Sequence, residues 1–109
     1  MVQRSTYEDI HILNLHGSIL QSESEVIRKY LENYLSSQNY KIVVNLLETN
    51  HICSSALGHI VYMKNKFNKV GGDIRVVVND EDLLELFEIT TLDQVFMLFD
   101  NFITCANSF

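Results

Sequence analysis

Side chains that can act as nucleophiles, bases or phosphoacceptors are concentrated in one short segment, residues 50–59. Its polar and reactive members are Asn50, His51, Cys53, Ser54, Ser55 and His59. The segment follows a strongly apolar run, residues 42–47, and leads into an amphipathic stretch that starts near Ser54. A loop that leaves the carboxyl end of a strand and enters a helix often binds ligands or carries modifications, because the helix N-terminus presents free N–H groups and partial positive charge.

Four roles are compatible with these residue types. Ser54 or Ser55 can cap the helix, which is a common structural role for serine. A metal site formed by His51, Cys53 and His59 would be expected to have a further ligand pair at zinc spacing, and the sequence has none. Cys53 is either a redox sensor or an ordinary small apolar residue. A hydrolase triad of Ser54, His51 and an acid would lack the Gly-x-Ser-x-Gly elbow. We therefore expect no catalytic residue, no metal and no cofactor.

The elements that position this segment follow from the apolar periodicity of the chain. An apolar, β-branched run at residues 10–15 predicts a first strand, which Gly17 ends. Ser22 and Glu25 have capping-box spacing, and the apolar residues of 26–35 recur every three to four positions. This pattern predicts a helix of about four turns that closes at residues 36–39.

Residues 42–47 are almost uninterrupted apolar residues, as is typical of a central strand covered on both faces. A polar connection, residues 49–53, then leads to a second helix that stops at Gly71-Gly72. Further along, 74–78 predict a strand, Asp80 caps a third helix, 95–99 predict a fourth strand, and 101–109 form a terminal helix. The alternation predicts a single α/β domain over residues 1–109, with a mixed sheet of four to five strands flanked by about four helices. The sheet is expected to be largely parallel, with the first strand free to be antiparallel.

Composition and charge exclude several classes of protein. The chain has 109 residues, of which 47% are hydrophobic and 20% charged, as expected for one globular domain. Residues 1–75 have eight basic and seven acidic side chains, a net of +1, whereas residues 76–109 have seven acidic and no basic ones, a net of −7. This distribution argues against nucleic-acid binding. The acidic third either suits a basic protein surface or only solvates one face of a helix and aids solubility. No segment predicts membrane insertion, and the two cysteines without an apolar leader favour a reducing cytoplasm.

Several strings of the chain together resemble a known family. They are Gly17-Ser18-Ile19-Leu20, the strand at 42–47, Cys53-Ser54-Ser55-Ala56-Leu57-Gly58, Gly71-Gly72-Asp73-Ile74-Arg75-Val76 and residues 84–92. In order and spacing they are similar to the bacterial anti-sigma factor antagonists and their wider STAS-domain relatives. The most specific string is Ser-Ser-x-Leu-Gly after an apolar strand, which resembles the family's Asp-Ser-Ser-Gly-Leu-Gly.

The resemblance implies a partner switch and not an enzyme. In such proteins the serine that matches Ser54 is phosphorylated by an anti-sigma factor that is also a serine kinase, and the unmodified antagonist binds that kinase and so frees a sigma factor. From their adjacency to Ser54, the expected partner-binding residues are Leu20, Ser22, Asn50, His51, Cys53, Ser55, Gly58 and His59. Phosphorylation adds about −1.5 to −2 charges, which a helix N-terminus tolerates but a packed interface does not.

Three positions depart from the family pattern. Leu20, Asn45 and Cys53 stand where the family usually has Asp. If those acids orient the kinase or its nucleotide metal, Ser54 would be phosphorylated slowly, only by a matched partner, or not at all. The sequence thus leaves an alternative, a non-phosphorylated STAS scaffold or subunit of a transporter or larger signalling assembly. It leaves the oligomeric state open.

Overall fold

The computed structural model describes all residues, 1–109, as five strands and four α-helices arranged about one sheet. The strands are β1 (Val2–Tyr7), β2 (Ile10–Ile19), β3 (Lys41–Ile52), β4 (Asp73–Val77) and β5 (Leu98–Phe99). The helices are α1 (Gln21–Ser36), α2 (Ser54–Lys69), α3 (Glu81–Ile89) and α4 (Phe102–Asn107), and a 3-10 turn covers Leu92–Gln94. None of the helices has the length and apolar character that a membrane crossing requires.

The strand order of the sheet is β1-β2-β3-β4-β5, so β3 lies at its centre, as its apolar run predicts. β1 pairs antiparallel with β2, and the other three pairs are parallel. β2, β3 and β4 run in the same direction, so their carboxyl ends share one edge of the sheet. The helices α1, α2 and α3 begin at that edge. The predicted α/β class, with a mixed sheet and four helices, is confirmed.

Buried side chains form two layers, one on each face of the sheet. The larger layer lies between the sheet and α1, α2 and α3, and it includes Leu31 from α1, Phe67 from α2 and Phe87 from α3. The smaller layer lies under α4 and contains Ile10, Ile12, Val43, Val77, Cys105 and Ala106. Along β3 the side chains alternate between the layers, with Val44 in the larger and Val43 in the smaller. Both faces of β3 are covered, which explains its nearly unbroken apolar sequence.

The antiparallel strand, β1, was not predicted from the sequence. Its residues, Val-Gln-Arg-Ser-Thr-Tyr, are mostly polar and exposed, so its strand conformation depends on pairing with β2. The strand expected to come first is β2, and it is parallel to β3. The expectation that Gly17 ends this strand is wrong. Gly17 has a φ of 73°, and a register shift between Gly17 and Ser18 lets β2 continue to Ile19.

The start of α1 also differs from the prediction. The helix begins at Gln21 with Leu20 as its N-cap, so Ser22 is not the capping residue. The carboxylate that accepts a hydrogen bond from the N-cap backbone belongs to Glu23 and not Glu25, with 3.3 Å between Leu20 N and Glu23 Oε1. Serine is a frequent N-cap, and that preference placed the predicted boundary two residues too late.

The polar connection expected at residues 49–53 is mostly strand. Residues 49–52 extend β3, because they pair with the last residues of β2 through the partners Gly17↔Thr49, Ser18↔His51 and Ile19↔Ile52. Thr49 is buried and donates a hydrogen bond from Oγ1 to the Leu15 carbonyl at 2.7 Å. Pairing satisfies backbone groups that a buried loop would leave without partners. Only Cys53 remains between β3 and α2.

The predicted end of α2 and the predicted start of α3 agree with the structure. Gly71 adopts a φ of 83° just after α2, and Asp80 Oδ2 accepts a hydrogen bond from Leu83 N at 3.0 Å as the cap of α3. The fourth predicted strand shortens to β5 because the 3-10 turn precedes it. The terminal segment folds as α4, whose cap is Asn101.

A buried ion cluster joins α2 to the start of β4. Lys64, which is 8% exposed, donates a hydrogen bond to Asp73 Oδ1, and Arg75 Nε donates to Asp73 Oδ2 at 2.9 Å. Asn68 Nδ2 donates to Asp73 Oδ1 at 3.0 Å. Burial alone would raise the pKa of Asp73, but these hydrogen bonds hold it below its ordinary value. The Arg75 guanidinium also stacks 4.4 Å from the centre of the Phe109 ring, which attaches the end of the chain to the sheet.

Candidate functional site

Ser54 is the first residue of α2, directly after the central strand. Its side chain is exposed, and its hydroxyl forms no hydrogen bond within the protein. The N-cap of α2 is Cys53, with φ −72° and ψ 158°, and no side chain caps the helix. The simple structural role, in which Ser54 or Ser55 is the N-cap, is therefore wrong. The first turn of α2 presents its N–H groups beside an unengaged hydroxyl.

Ser55 differs from Ser54 because its hydroxyl is held by neighbours. Ser55 Oγ donates to Gln21 Oε1 at 3.1 Å and lies 3.3 Å from Cys53 Sγ, and the side chain is half-buried. The contact with Gln21 joins the first turn of α2 to the first residue of α1. Of the two serines, only Ser54 offers a free hydroxyl to another molecule.

Parallel pairing of β2 with β3 brings the two helix starts together. Ile19 and Ile52 are register partners, and Cys53 N donates to the Ile19 carbonyl at 2.9 Å. Leu20 follows Ile19 and is 52% exposed at the N-cap of α1. α1 and α2 both pack in the larger core layer, on the same face of the sheet, so their first turns lie side by side. The site thus comprises residues from two segments that are more than thirty positions apart in the sequence.

The remaining predicted neighbours lie around this pair of helix starts. Asn50, near the end of β3, accepts a hydrogen bond from Ser18 Oγ at 3.2 Å, and His51 is exposed on the same strand. Gly58 is exposed one turn along α2. His59 Nε2 lies 3.6 Å from Glu25 Oε1, across the contact between α1 and α2.

Each of the eight residues expected beside Ser54 is thus exposed or half-buried at this edge of the sheet. They are Leu20, Ser22, Asn50, His51, Cys53, Ser55, Gly58 and His59. Their role in binding a partner stays a prediction. Three further members, Ser18, Gln21 and Glu25, were missed, because the sequence pattern does not show which residues of β2 and α1 face α2. The signal that could have found them is the pairing of two adjacent parallel strands that each enter a helix.

Charges near Ser54 are few and mostly paired. Glu25 is hydrogen-bonded to Arg28, with 2.6 Å between Oε2 and Nη2, and this bond lowers the pKa of the Glu25 carboxyl. Arg28 also binds Glu32 at 2.8 Å. Between Lys41 and Lys64 the chain has no Lys or Arg. The surface beside Ser54 is therefore close to neutral, apart from the partial positive charge of the α2 N-terminus.

The three positions that depart from the expected acidic pattern are not equivalent in space. Leu20 and Cys53 are the N-caps of α1 and α2, the two helix starts that form the site. Asn45 lies seven residues before Ile52, which is about 23 Å along an extended strand. Its Nδ2 donates to Asn14 Oδ1 at 2.9 Å, and its Oδ1 accepts from Leu47 N at 3.0 Å. Asn45 thus forms hydrogen bonds within the sheet and does not touch the site.

The other chemistries considered for this segment find little geometric support. No three His, Cys, Asp or Glu side chains are grouped closely enough to hold a metal ion. Ser54 and His51 are not hydrogen-bonded to each other, although a serine nucleophile requires a base within reach. Cys53 and Cys105 are both free thiols, one half-buried and one buried.

Several solved structures share this fold. The Thermotoga maritima protein TM1081 is 20% identical, with a TM-score of 0.90 over 98% of this chain and 92% of that one. An anti-sigma factor antagonist of Mycobacterium paratuberculosis is 14% identical, with a TM-score of 0.88 over 99% and 92%. The unphosphorylated anti-sigma factor antagonist SpoIIAA is 14% identical, with a TM-score of 0.79 over 99% and 96%. At these identities the likeness shows the fold alone.

Sequence comparison is more specific about the family. No curated protein is significantly similar in sequence to this chain. A family model of the STAS domain, in contrast, matches residues 1–104, which is nearly the full length. The match includes every strand of the sheet and both helix starts of the site. The chain therefore belongs to the STAS domain family.

Proposed function

We propose that this chain is an anti-sigma factor antagonist, which binds an anti-sigma factor serine kinase in the cytoplasm and is released when that kinase phosphorylates Ser54. The observation that carries the proposal is the exposed Ser54 hydroxyl, free of protein hydrogen bonds, at the first position of α2. Membership of the STAS family supports it. So does the likeness in fold to SpoIIAA, of which both an unphosphorylated and a phosphorylated form have been solved.

The proposed reaction requires little from the chain itself. The kinase would transfer the γ-phosphoryl group of ATP to Ser54 Oγ, with ADP as the leaving group and loss of the hydroxyl proton. The resulting dianion would lie at the N-terminus of α2, where no side chain caps the first-turn N–H groups. Those groups and the helix dipole stabilise negative charge. The modified protein is therefore expected to stay folded.

Loss of binding would follow from the neutral surface around Ser54. Leu20 is 52% exposed, and no Lys or Arg occurs between Lys41 and Lys64. A partner packed over this surface would have to bury a dianion, and the segment that carries Ser54 has no Lys or Arg between Lys41 and Lys64 to serve as a counter-charge. Phosphorylation can thus switch binding off without a large change of shape.

The matched pair of Ser54 and Ser55 provides the test. The protein and its Ser54→Ala and Ser55→Ala variants are incubated with the purified kinase and ATP, and intact mass is measured. We expect one phosphate on the wild type and on Ser55→Ala, and none on Ser54→Ala. Binding of the kinase should weaken for Ser54→Asp but much less for the neutral Ser54→Asn. Phosphate added at another residue, or equal binding of the Asp and Asn variants, would contradict the switch.

One observation favours a second function, the non-phosphorylated scaffold. Leu20 and Cys53 are uncharged where the family usually has acids, and both are N-caps at the two helix starts of the site. A site without those carboxylates has fewer groups to orient a kinase or its nucleotide metal. A wild-type chain that binds the kinase but stays unmodified would support a scaffold or a subunit of a transporter or signalling assembly.

A further inference from the structure

An apolar groove lies at the same sheet edge as Ser54, on the side of β4 and β5. It has a volume of about 510 Å³ and is lined by Val78, Asn79, Leu84, Leu98, Phe99 and Asp100. Leu84 is 37% exposed, whereas its neighbour Leu83 is 2% exposed and packs in the core. Leu84 therefore belongs to the open face of α3 and forms one wall of the groove.

Charge around the groove has one sign. Glu81 and Glu88 lie three residues before and four residues after Leu84 on α3, so both flank it on the helix surface. Asp100 lines the groove itself. None of the seven carboxylates of residues 76–109 forms an ion pair, and this segment has no Lys or Arg. A partner segment with an apolar side chain and positive charge would complement this surface.

We propose that this groove is a second contact of the anti-sigma factor kinase, and that it takes an apolar side chain from a basic segment of that partner. The inference rests on the proposed function. The apolar lining binds the side chain, and the unpaired carboxylates around it attract the flanking Lys or Arg residues. The groove thus adds a charged contact to the neutral contact around Ser54.

Position makes one partner for both contacts reasonable. β4 and β5 are the first and second neighbours of β3, which ends beside Ser54. Adjacent strands are about 4.8 Å apart, so the groove lies within about 10 Å of β3 across the sheet. A standard interface buries about 800 Å² per partner, which is large enough to extend from Ser54 to the groove.

The test measures binding of the unphosphorylated protein to the purified kinase at several salt concentrations. We expect Leu84→Ser to weaken binding about tenfold, as for an apolar residue in an interface pocket. Glu81→Gln with Glu88→Gln should lower the association rate and flatten its dependence on salt. These two substitutions are nearly isosteric and exposed, so they keep the test valid if Leu84→Ser perturbs folding, which circular dichroism would reveal.

Two control variants match these changes outside the groove. Ile89→Ser removes a 71%-exposed apolar side chain from the same helix, and Glu48→Gln removes an exposed carboxylate of β3 that forms no ion pair. Both should bind like the wild type. If the kinase phosphorylates Ser54 and binds the groove variants as tightly as the controls, the groove contact is refuted and the proposed function stands. If the kinase neither binds nor modifies the wild type, the proposed function fails and the groove contact with it.

Discussion

Replacing Asp73 by Asn should destabilise the fold far more than a typical polar substitution. Asp73 is the carboxylate partner of Lys64, whose side chain is only 10% exposed, and the substitution would leave that ammonium group buried without a counter-charge. Removing one partner of a buried pair costs about 3–5 kcal/mol. We expect about 3 kcal/mol, the lower end, because the long Lys64 stem allows the ammonium to move toward water. Urea unfolding near neutral pH, followed by circular dichroism, measures the difference.

The same carboxylate makes part of the stability depend on pH. Its pKa in the folded protein lies below the ordinary value of 3.8, so the unfolded chain takes up the proton first as the solution becomes acidic. The contribution of Asp73 is therefore complete well above 3.8 and is lost as the pH falls through the folded pKa. The stability difference between the wild type and Asp73→Asn should shrink between about pH 5 and pH 2.

A double variant provides the control for this prediction. Lys64→Met in the Asp73→Asn background removes the more buried of the two cations that lose Asp73 and keeps an unbranched apolar stem, so it should recover a large part of the lost stability. Arg75 keeps its hydrogen bond to Ser108 Oγ. An Asp73→Asn variant within about 1 kcal/mol of the wild type would refute the buried cluster, since that is the range of exposed ion pairs. A loss that does not change with pH would refute it as well.

Alanine substitution of two glycines, Gly58 and Gly72, should change the free energy of unfolding in opposite directions. At Gly58 an added Cβ would meet nothing within 4 Å in a helix interior, so Gly58→Ala should raise the free energy of unfolding by about 0.5–1 kcal/mol, and a decrease would contradict the open space. At Gly72 a Cβ would lie 2.6 Å from the Tyr40 carbonyl oxygen, so Gly72→Ala should lower it by about 1–3 kcal/mol in the same urea unfolding experiment, and no change would contradict the close contact. Cys53, which is half-buried, should react with a maleimide faster than Cys105, as measured by mass spectrometry. Cys105 is fully buried, and burial raises its pKa to about 11. Fast labelling of Cys105 in the folded protein would show that α4 does not stay packed on the sheet.

Local features of the sequence were sufficient to predict most helices and strands and the position of Ser54, the central residue of the site. The apolar periodicity of residues 26–35 and 57–70, the cap at Asp80 and the stop at Gly71 all depend on interactions within a few positions, and the structure agrees with them. The strand-to-helix junction at Ser54 was predicted because it too depends on neighbouring residues. The end of β3 was predicted too early, because residues 49–52 are mostly polar and become strand only by pairing with β2.

The sequence by itself determined an α/β domain with a serine where a central strand meets a helix, since hydrophobic spacing and capping preferences are properties of neighbouring residues. Tertiary structure alone decided that polar β1 forms an edge strand, that Gln21 holds Ser55 and leaves Ser54 free, and that Leu84 faces an acidic groove. These outcomes depend on backbone pairing and side-chain contacts between segments that lie far apart in the chain. Such contacts form only when the whole sheet is assembled, and no short stretch of sequence contains them.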